Sequence, residues 1–481
     1  MSATSDPGFR HFISGVWGRP EDGASIALSD PATGAARAPL PCSNAQDVAA
    51  AVAAAATSGW EDSDRADRLA LLQSVTALIR SRAEEFVAAI SAEIGAPVDF
   101  ARKQQVGTAL DHLQSMLAAA RAAEDDAPVA PDLPQHRVRY DPMGVAALVT
   151  PWNWPLNQVV LKVGAALLAG CPMVLKPSEL GSRTAMMFAE CMQGAGVPRG
   201  VFNLVLGGAD TGAALVAAPA VRVVSFTGST AAGRAIATAA APQFKRTVLE
   251  LGGKSANILF ADCDLPVAIR QGVAHCMRNA GQSCNAASRM LVAREIYDDA
   301  LALAAAAAEA LPVAAPDRPG DHFGPLVSAG QWDRVQRLIR SGIDDGARLI
   351  AGGPGRPEGM AQGYYARPTV FAEVAPHMTL FREEVFGPVL TMTPFDSEEE
   401  AVALANDSAF GLAGYVQTGD PVCADRVARA LAVGMVQVNG CSRAPGAPFG
   451  GVKQSGLGRE AGLWGIRAFQ DIKSISGAAR V

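Results

Sequence analysis

From Gly144 onward the chain repeats one pattern: a short apolar run, a helical segment, then another short apolar run. The runs fall at 145–149, 173–176, 202–206, 221–226 and 247–251. Apolar runs separated by crossover-length helical segments argue for a parallel sheet covered on both faces. A second block of the same kind begins near Ala256, with strands expected near 256–260, 288–293, 347–351, 388–393 and 434–438. At 481 residues the chain is too long for a single core, so two or more domains are expected.

The region before Gly144 is of another kind. Residues 1 to about 45 are rich in Gly and Pro and read as an extended arm with short hairpins. Asn44 is suited to cap a helix over 45–58. Residues 65–94 form one or two amphipathic helices on Leu69, Leu72, Val75, Leu78 and Ile79, and a further helix is predicted over 99–123. Residues 127–142 hold four prolines and the alternating Arg137-Val138-Arg139-Tyr140, the pattern of an edge strand or hairpin standing off the core.

Bulk properties exclude several classes. Net charge is −6 and no basic cluster occurs, which argues against a nucleic-acid partner or an anionic membrane surface. The N-terminus lacks a charged-then-apolar leader. The most apolar run, 159–175, holds Lys162 and Pro172 and reads as a buried helix leading into a strand, not a membrane span. The eight cysteines show no CxxC spacing and no Cys/His cluster, so no metal site is expected and the thiols suit a reducing, cytoplasmic setting.

Three stretches carry chemistry. Asn279-Ala280-Gly281-Gln282-Ser283-Cys284 ends a Gly-containing turn in a thiol. Glu250-Leu251-Gly252-Gly253-Lys254-Ser255 leads a carboxylate into a double-glycine turn. Pro151-Trp152-Asn153-Trp154-Pro155 sets an amide donor between bulky residues. Thiol, base and amide donor are the parts needed for covalent chemistry on a carbonyl. Each also has a plain structural reading. Cys284 can be core filler, Asn153 can cap a helix starting near Pro155, and Glu250 can pair with Lys254 or Lys245. Lys162 either orients the Asn153 neighbourhood or snorkels. No GxGxxG follows the first strand. Instead Gly228-Ser229-Thr230-Ala231-Ala232-Gly233 follows the strand ending at Phe226 and opens a helix, where a pyrophosphate can meet backbone amides. Lys176 and Glu179 follow a buried strand at a carboxyl end, as a solvated pair or as ligand-binding groups.

Taken together these motifs resemble the aldehyde dehydrogenase superfamily. The resemblance runs nearly end to end, through Trp152-Asn153-Trp154, Lys176-Pro177-Ser178-Glu179, Phe226-Thr227-Gly228-Ser229-Thr230, the Glu250 and Cys284 motifs, Glu384-Val385-Phe386-Gly387-Pro388 and Pro448-Phe449-Gly450-Gly451. It implies an α/β fold with a Rossmann-like cofactor domain (1–123 and 143–251), an α/β catalytic domain (252–453) and a small β oligomerisation element with the C-terminal tail (124–142 and 454–481). The implied reaction is NAD-dependent oxidation of an aldehyde to its acid. Cys284 would be the nucleophile, the Asn153 amide and Cys284 N–H the oxyanion hole, Glu250 the activator of water, and Lys162 an aid to their orientation.

The same resemblance sets Trp152, Lys176, Ser178, Glu179, Gly228, Ser229, Leu251, Glu384 and Phe386 around NAD. A carboxylate at Glu179 would favour NAD over NADP by repelling a 2′-phosphate. It implies a homodimer or homotetramer, with residues 127–142 pairing with the tail. Trp154 stands where the family more usually has phenylalanine, and Leu161 where some members carry a tunnel aromatic. Trp154, Leu161 and Phe449 would then make an apolar barrel for an alkyl or aryl aldehyde. Arg443 either meets a distal carboxylate or is a solvated loop arginine. The presence of Glu250 argues against a CoA-acylating relative, and the intact triplet of Cys284, Asn153 and Glu250 against a catalytically silent one.

Overall fold

The computed structural model describes residues 8–20 and 24–477. Its first sheet has eight strands. Five of them are parallel, in the spatial order Phe202–Leu204, Met173–Pro177, Val145–Thr150, Val221–Thr227 and Arg246–Glu250. The hairpin His11–Ile13 and Val16–Gly18 adds antiparallel strands at one edge, and Gly456–Leu457 closes the other beside Glu250. All six residues of Val145–Thr150 are buried, as expected of a strand covered on both faces. The covering helix Pro155–Ala169 is buried along its whole length.

The second sheet has seven strands, ordered Arg348–Ala351, Thr369–Ala372, Val389–Phe395, Arg289–Ala293, Ala256–Leu259, Ala413–Gln417 and Met435–Val438, parallel except at the first. A third sheet pairs Gln470–Ser476 with His136–Pro142 and Asp126–Pro128, so the pairing of 127–142 with the tail is present within one chain.

Asn44 caps Ala45–Ala56 through a reciprocal bond pattern with Asp47, which satisfies otherwise orphaned first-turn amides. Three features depart from the sequence reading. The strands Thr369–Ala372 and Ala413–Gln417 are additional. The helix over 99–123 is interrupted by a wide π turn at Ala101–Val106 before Gly107–Ala122. The segment from 454 is not wholly a peripheral tail, because Gly456–Leu457 joins the first sheet and Gly462–Arg467 packs on Gly107–Ala122 and Pro155–Ala169.

Parallel strands bring their carboxyl ends to one edge. Asn153, Glu179, Ser229 and Glu250 therefore follow neighbouring strands along a single rim. Gly252–Ser255, Cys284 and Phe386 precede strands of the second sheet. The site forms where these two sets of loops meet.

Candidate active site

Cys284 is held by a turn that local preferences oppose. Asn279 and Ala280 have φ of 55° and 54°, followed by Gly281 at 73°. Two consecutive left-handed residues other than glycine cost about 1–2 kcal/mol each, and they persist only where neighbours over-determine them. The neighbours do so here. Asn279 Nδ2 donates to Gln282 O (3.2 Å) and Asn153 O (3.0 Å), Gln282 Nε2 donates to Asn279 O (2.9 Å), and Val327 N–H donates to Gln282 Oε1 (3.0 Å). A Cβ on Gly281 would sit 2.0 Å from Gly387 O. The Cys284 amide is left without an acceptor among the described residues.

Asn153 faces this turn from the first sheet. Its Nδ2 donates to Gln282 O at 3.0 Å, which leaves its second amide hydrogen for a ligand. It does not cap the following helix, whose N-cap is Trp154 with no side-chain capping bond. The Asn153 carbonyl is fixed by Gln105 Nε2 at 3.0 Å as well as by Asn279. Gln105 lies in the π turn, where the widened helix presents a fully buried amide.

Glu250 is 1% exposed, and neither carboxylate oxygen has a donor among the described residues. Burial, then the neighbouring Glu460, pushes its pKa up to about 8, while Cys284 and Lys162 pull it down. It pairs with neither lysine suggested by sequence. Lys245 donates to the Val216 and Ala218 carbonyls, and Lys254 Nζ is buried without an acceptor. Burial pushes the Cys284 thiol well above its ordinary value, and Glu250 adds to the shift. Gly253 permits the approach, since a Cβ there would lie 2.3 Å from Cys284 O.

Lys162 does not snorkel. Its buried ammonium is ion-paired with Glu460 and donates to Thr227 Oγ1 at 2.8 Å. Glu460, absent from the sequence reading, is buried too, and its Oε2 has no donor among the described residues. Lys162 and Glu460 thus set the field in which Glu250 ionises.

The residues expected around a cofactor occupy the rim. Ser229 caps Thr230–Ala240 by accepting from Ala232 N–H at 3.2 Å, which leaves first-turn amides with no intrahelical acceptor. Gly233 is needed beside Leu251, whose side chain would be 2.5 Å from a Cβ there. Lys176 is buried and donates to Gly208 O at 3.2 Å, so it is not a solvated partner of Glu179. Ser178 caps the turn Glu179–Gly181 and donates to Glu179 Oε2 at 3.2 Å. Glu384 Oε1 accepts from Gly253 N–H at 3.0 Å, and burial raises its pKa to about 7. Phe386, at φ 57°, meets Trp152 edge-on with ring centroids 5.5 Å apart.

A cavity of about 540 Å³ opens onto Cys284. Trp154, Leu161, Phe449 and Arg443 all line it, and Trp154 Nε1 donates to Ser283 Oγ at 3.2 Å. The wall combines the apolar surface expected from the first three with polar side chains. Gln104, His112, Asn157, Gln271, His275 and Gln437 also face it. Nor is Arg443 a solvated loop residue: it is half-buried, with its guanidinium 5.2 Å from the Phe449 ring centroid.

A buried carboxylate and a thiol meet at the carboxyl rim of a doubly covered parallel sheet, the edge at which α/β enzymes bind dinucleotides. The chain belongs to the aldehyde dehydrogenase family, whose profile matches residues 17–475. It is 45% identical over 470 residues to a 3-succinoylsemialdehyde-pyridine dehydrogenase from a Pseudomonas species, covering 97% of this chain and 98% of that one. Among solved structures, an aldehyde dehydrogenase from Bartonella henselae superposes with a TM-score of 0.96 at 45% identity, over 98% of this chain and 99% of the other. Aldehyde dehydrogenase C from Pseudomonas syringae, a cysteine-to-alanine variant in complex with NAD+ and octanal, gives 0.96 at 42% identity, over 99% and 98%. No helix of the described residues is long and apolar enough to cross a membrane, and no metal-binding cluster occurs among them.

Proposed function

We propose that this protein oxidises an aldehyde to its carboxylic acid, with NAD+ as hydride acceptor and water as acyl acceptor, through a thiohemiacetal and a thioester on Cys284. The observation that carries this reading is Glu250: buried, unpaired at both oxygens, and close enough to Cys284 that each shifts the other's ionisation. A carboxylate in that state is expensive to keep unless it holds a proton or a water in a reaction.

The residues fit a nicotinamide dinucleotide. A helix N-terminus with free first-turn amides suits a pyrophosphate. Glu179 and Glu384 supply carboxylate acceptors for ribose hydroxyls, and the Trp152–Phe386 edge offers an apolar flank for a ring. The NAD+ complex of the Pseudomonas syringae relative supports the same choice. When bound, NAD+ supplies the hydride acceptor. Leu251, packed on Gly233, and Gly228 keep the rim slim enough for such a ligand.

The chain's own groups do the rest. The Cys284 thiol loses its proton, with Glu250 the nearest acceptor, and sulfur bonds to the aldehyde carbon as the C=O π pair moves to oxygen. That oxyanion lies where the Cys284 N–H and the second Asn153 amide hydrogen converge. The C–H pair then departs as hydride, the carbonyl re-forms, and a thioester remains. Once that first proton has passed to solvent, ionised Glu250 takes a proton from water, the hydroxide adds to the thioester, and the C–S bond breaks with the sulfur taking the proton from Glu250, giving acid and thiol. Lys162 holds Glu460 and Thr227, stabilising negative charge on Glu250 as it forms. The three-stranded sheet, with Gln470–Ser476 as an edge strand, is the surface we assign to homo-oligomer contacts.

The test is rapid-mixing absorbance of NADH with NAD+ and aldehyde. Cys284→Ala should bind NAD+ and produce no NADH, and Glu250→Gln should give one fast turnover and then stall with an acyl group on Cys284. More than a tenth of wild-type turnover in Cys284→Ala, a loss below about 1.4 kcal/mol, overturns the reading.

A further inference from the structure

The cavity beside Cys284 is one-sided in charge. Two cations, Arg443 and Arg278, line it, and no Asp or Glu does. Arg278 is exposed at the rim. Arg443 is half-buried, burial lowers its pKa, and no acidic group offsets that cost. A guanidinium cannot shed its proton to escape such a site, so the uncompensated charge stays.

Its protein partners are all neutral. Nη1 donates to Ala447 O at 2.5 Å and, more weakly, to Ala444 O at 3.4 Å, and Nη2 contacts His112 Nε2 at 3.1 Å. Because Arg443 can only donate, His112 Nε2 must accept. Its Nδ1 then carries the proton and donates to Asn157 Oδ1 at 2.7 Å. His112 is therefore the neutral tautomer, in line with a pKa lowered chiefly by burial. Phe449 stacks on the guanidinium and fixes its plane. These contacts use only part of the five N–H groups, and the cavity is where the rest have a partner to gain. A neutral carbonyl there would leave the charge uncompensated. A carboxylate would neutralise it and accept two parallel N–H bonds.

We propose that the tunnel selects aldehydes bearing a carboxylate at the end remote from the reacting carbonyl. Arg443 binds that group, and His112, as its neutral acceptor, positions Arg443. This rests on the reading of Cys284 as the nucleophile in the same cavity, and it names the substrate class that cavity takes.

The experiment compares aldehydes of equal length ending in a carboxylate, a methyl ester or a methyl group, by NADH formation with NAD+. Wild type should favour the acid by about tenfold or more in kcat/KM. Arg443→Gln should lose that preference through KM while its ester and alkyl activities stay within about threefold, which also reports that it is folded. His112→Leu should raise KM for the acid alone, and His112→Gln, whose amide oxygen can accept from Arg443, should restore most of it. Equal or better use of the ester or alkyl aldehyde by wild type overturns the carboxylate proposal and leaves aldehyde oxidation standing. An acid preference that survives in Arg443→Gln overturns the assignment to Arg443. Absence of NADH with all three substrates overturns the proposed reaction itself.

Discussion

Glu460→Gln tests whether Glu460 tunes Glu250, the proposed base. Glu460 is the second cause, after burial, of the raised Glu250 pKa, and its ion pair with Lys162 consumes the one ammonium that favours Glu250 in its charged form. Replacing the carboxylate by an amide removes the like charge and leaves Lys162 to act on Glu250 unopposed. At an effective dielectric constant of about 20, a like charge at roughly 8 Å is in general worth about 2 kcal/mol. That corresponds to about 1.5 pKa units. The predicted change is thus a fall of one to two units, on the order of the whole like-charge effect.

The assay is hydrolysis of a chromogenic ester, which acylates Cys284 without cofactor, so the steady rate after the burst reports thioester hydrolysis. In the proposed mechanism Glu250 must be ionised to act, so wild-type hydrolysis should rise with pH through a midpoint well above the ordinary carboxylate range. Glu460→Gln should move that midpoint down, and Lys162→Met should move it up. Breaking a buried pair also costs about 3–5 kcal/mol of stability. Midpoints should therefore be compared only below each variant's melting temperature. If both variants keep the wild-type midpoint to within about 0.3 units, electrostatic tuning by this pair is refuted, even if both are slower.

Asn153→Ala removes the proposed oxyanion donor and should lower kcat by about 10²–10³, or roughly 3–4 kcal/mol, with NAD+ affinity unchanged in a binding titration. Glu179→Ser should raise NADP+ use relative to NAD+ in parallel initial-rate assays, because it removes the carboxylate proposed to repel a 2′-phosphate. Equal wild-type efficiency with both cofactors would speak against this role. His275 has its pKa lowered from 6.5 to about 4, mainly by burial, and its Nδ1 accepts from Ala287 N–H at 3.3 Å. A depressed folded value means that its contribution is fully present above pH 6.5 and is lost as pH falls toward 4. The stake is up to about 3 kcal/mol. His275→Phe should flatten the fall of melting temperature over that window, and an unchanged slope would place the acid sensitivity elsewhere.

What the sequence disclosed depended on whether a feature is local. The turn before Cys284, the double glycine after Glu250 and the Trp-flanked Asn153 are short stretches whose chemistry is written in consecutive residues. The parallel sheets announce themselves by apolar runs between helices. Strands such as Ala413–Gln417 were missed because glycine and a polar end dilute a five-residue signal. Glu460 and Gln105 were missed for another reason: their partners lie 298 and 48 residues away, and neither sits in a run that marks it.

The tunnel wall shows the deeper limit. Periodicity separates residues that pack from residues that do not, and Thr108 and His112, Gln271 and His275, and Gln417 and Gln437 fall among the polar positions of their helices and strands. In a pattern, a polar face reads as a solvated face. Only when helices 107–122 and 265–277 are brought to either side of Cys284 do those faces turn out to look into one cavity. The apolar residues of the wall come from recognisable motifs, so a reading by motif overweights them. The polar residues of the wall, Arg443 among them, are brought together by packing between elements distant in the chain.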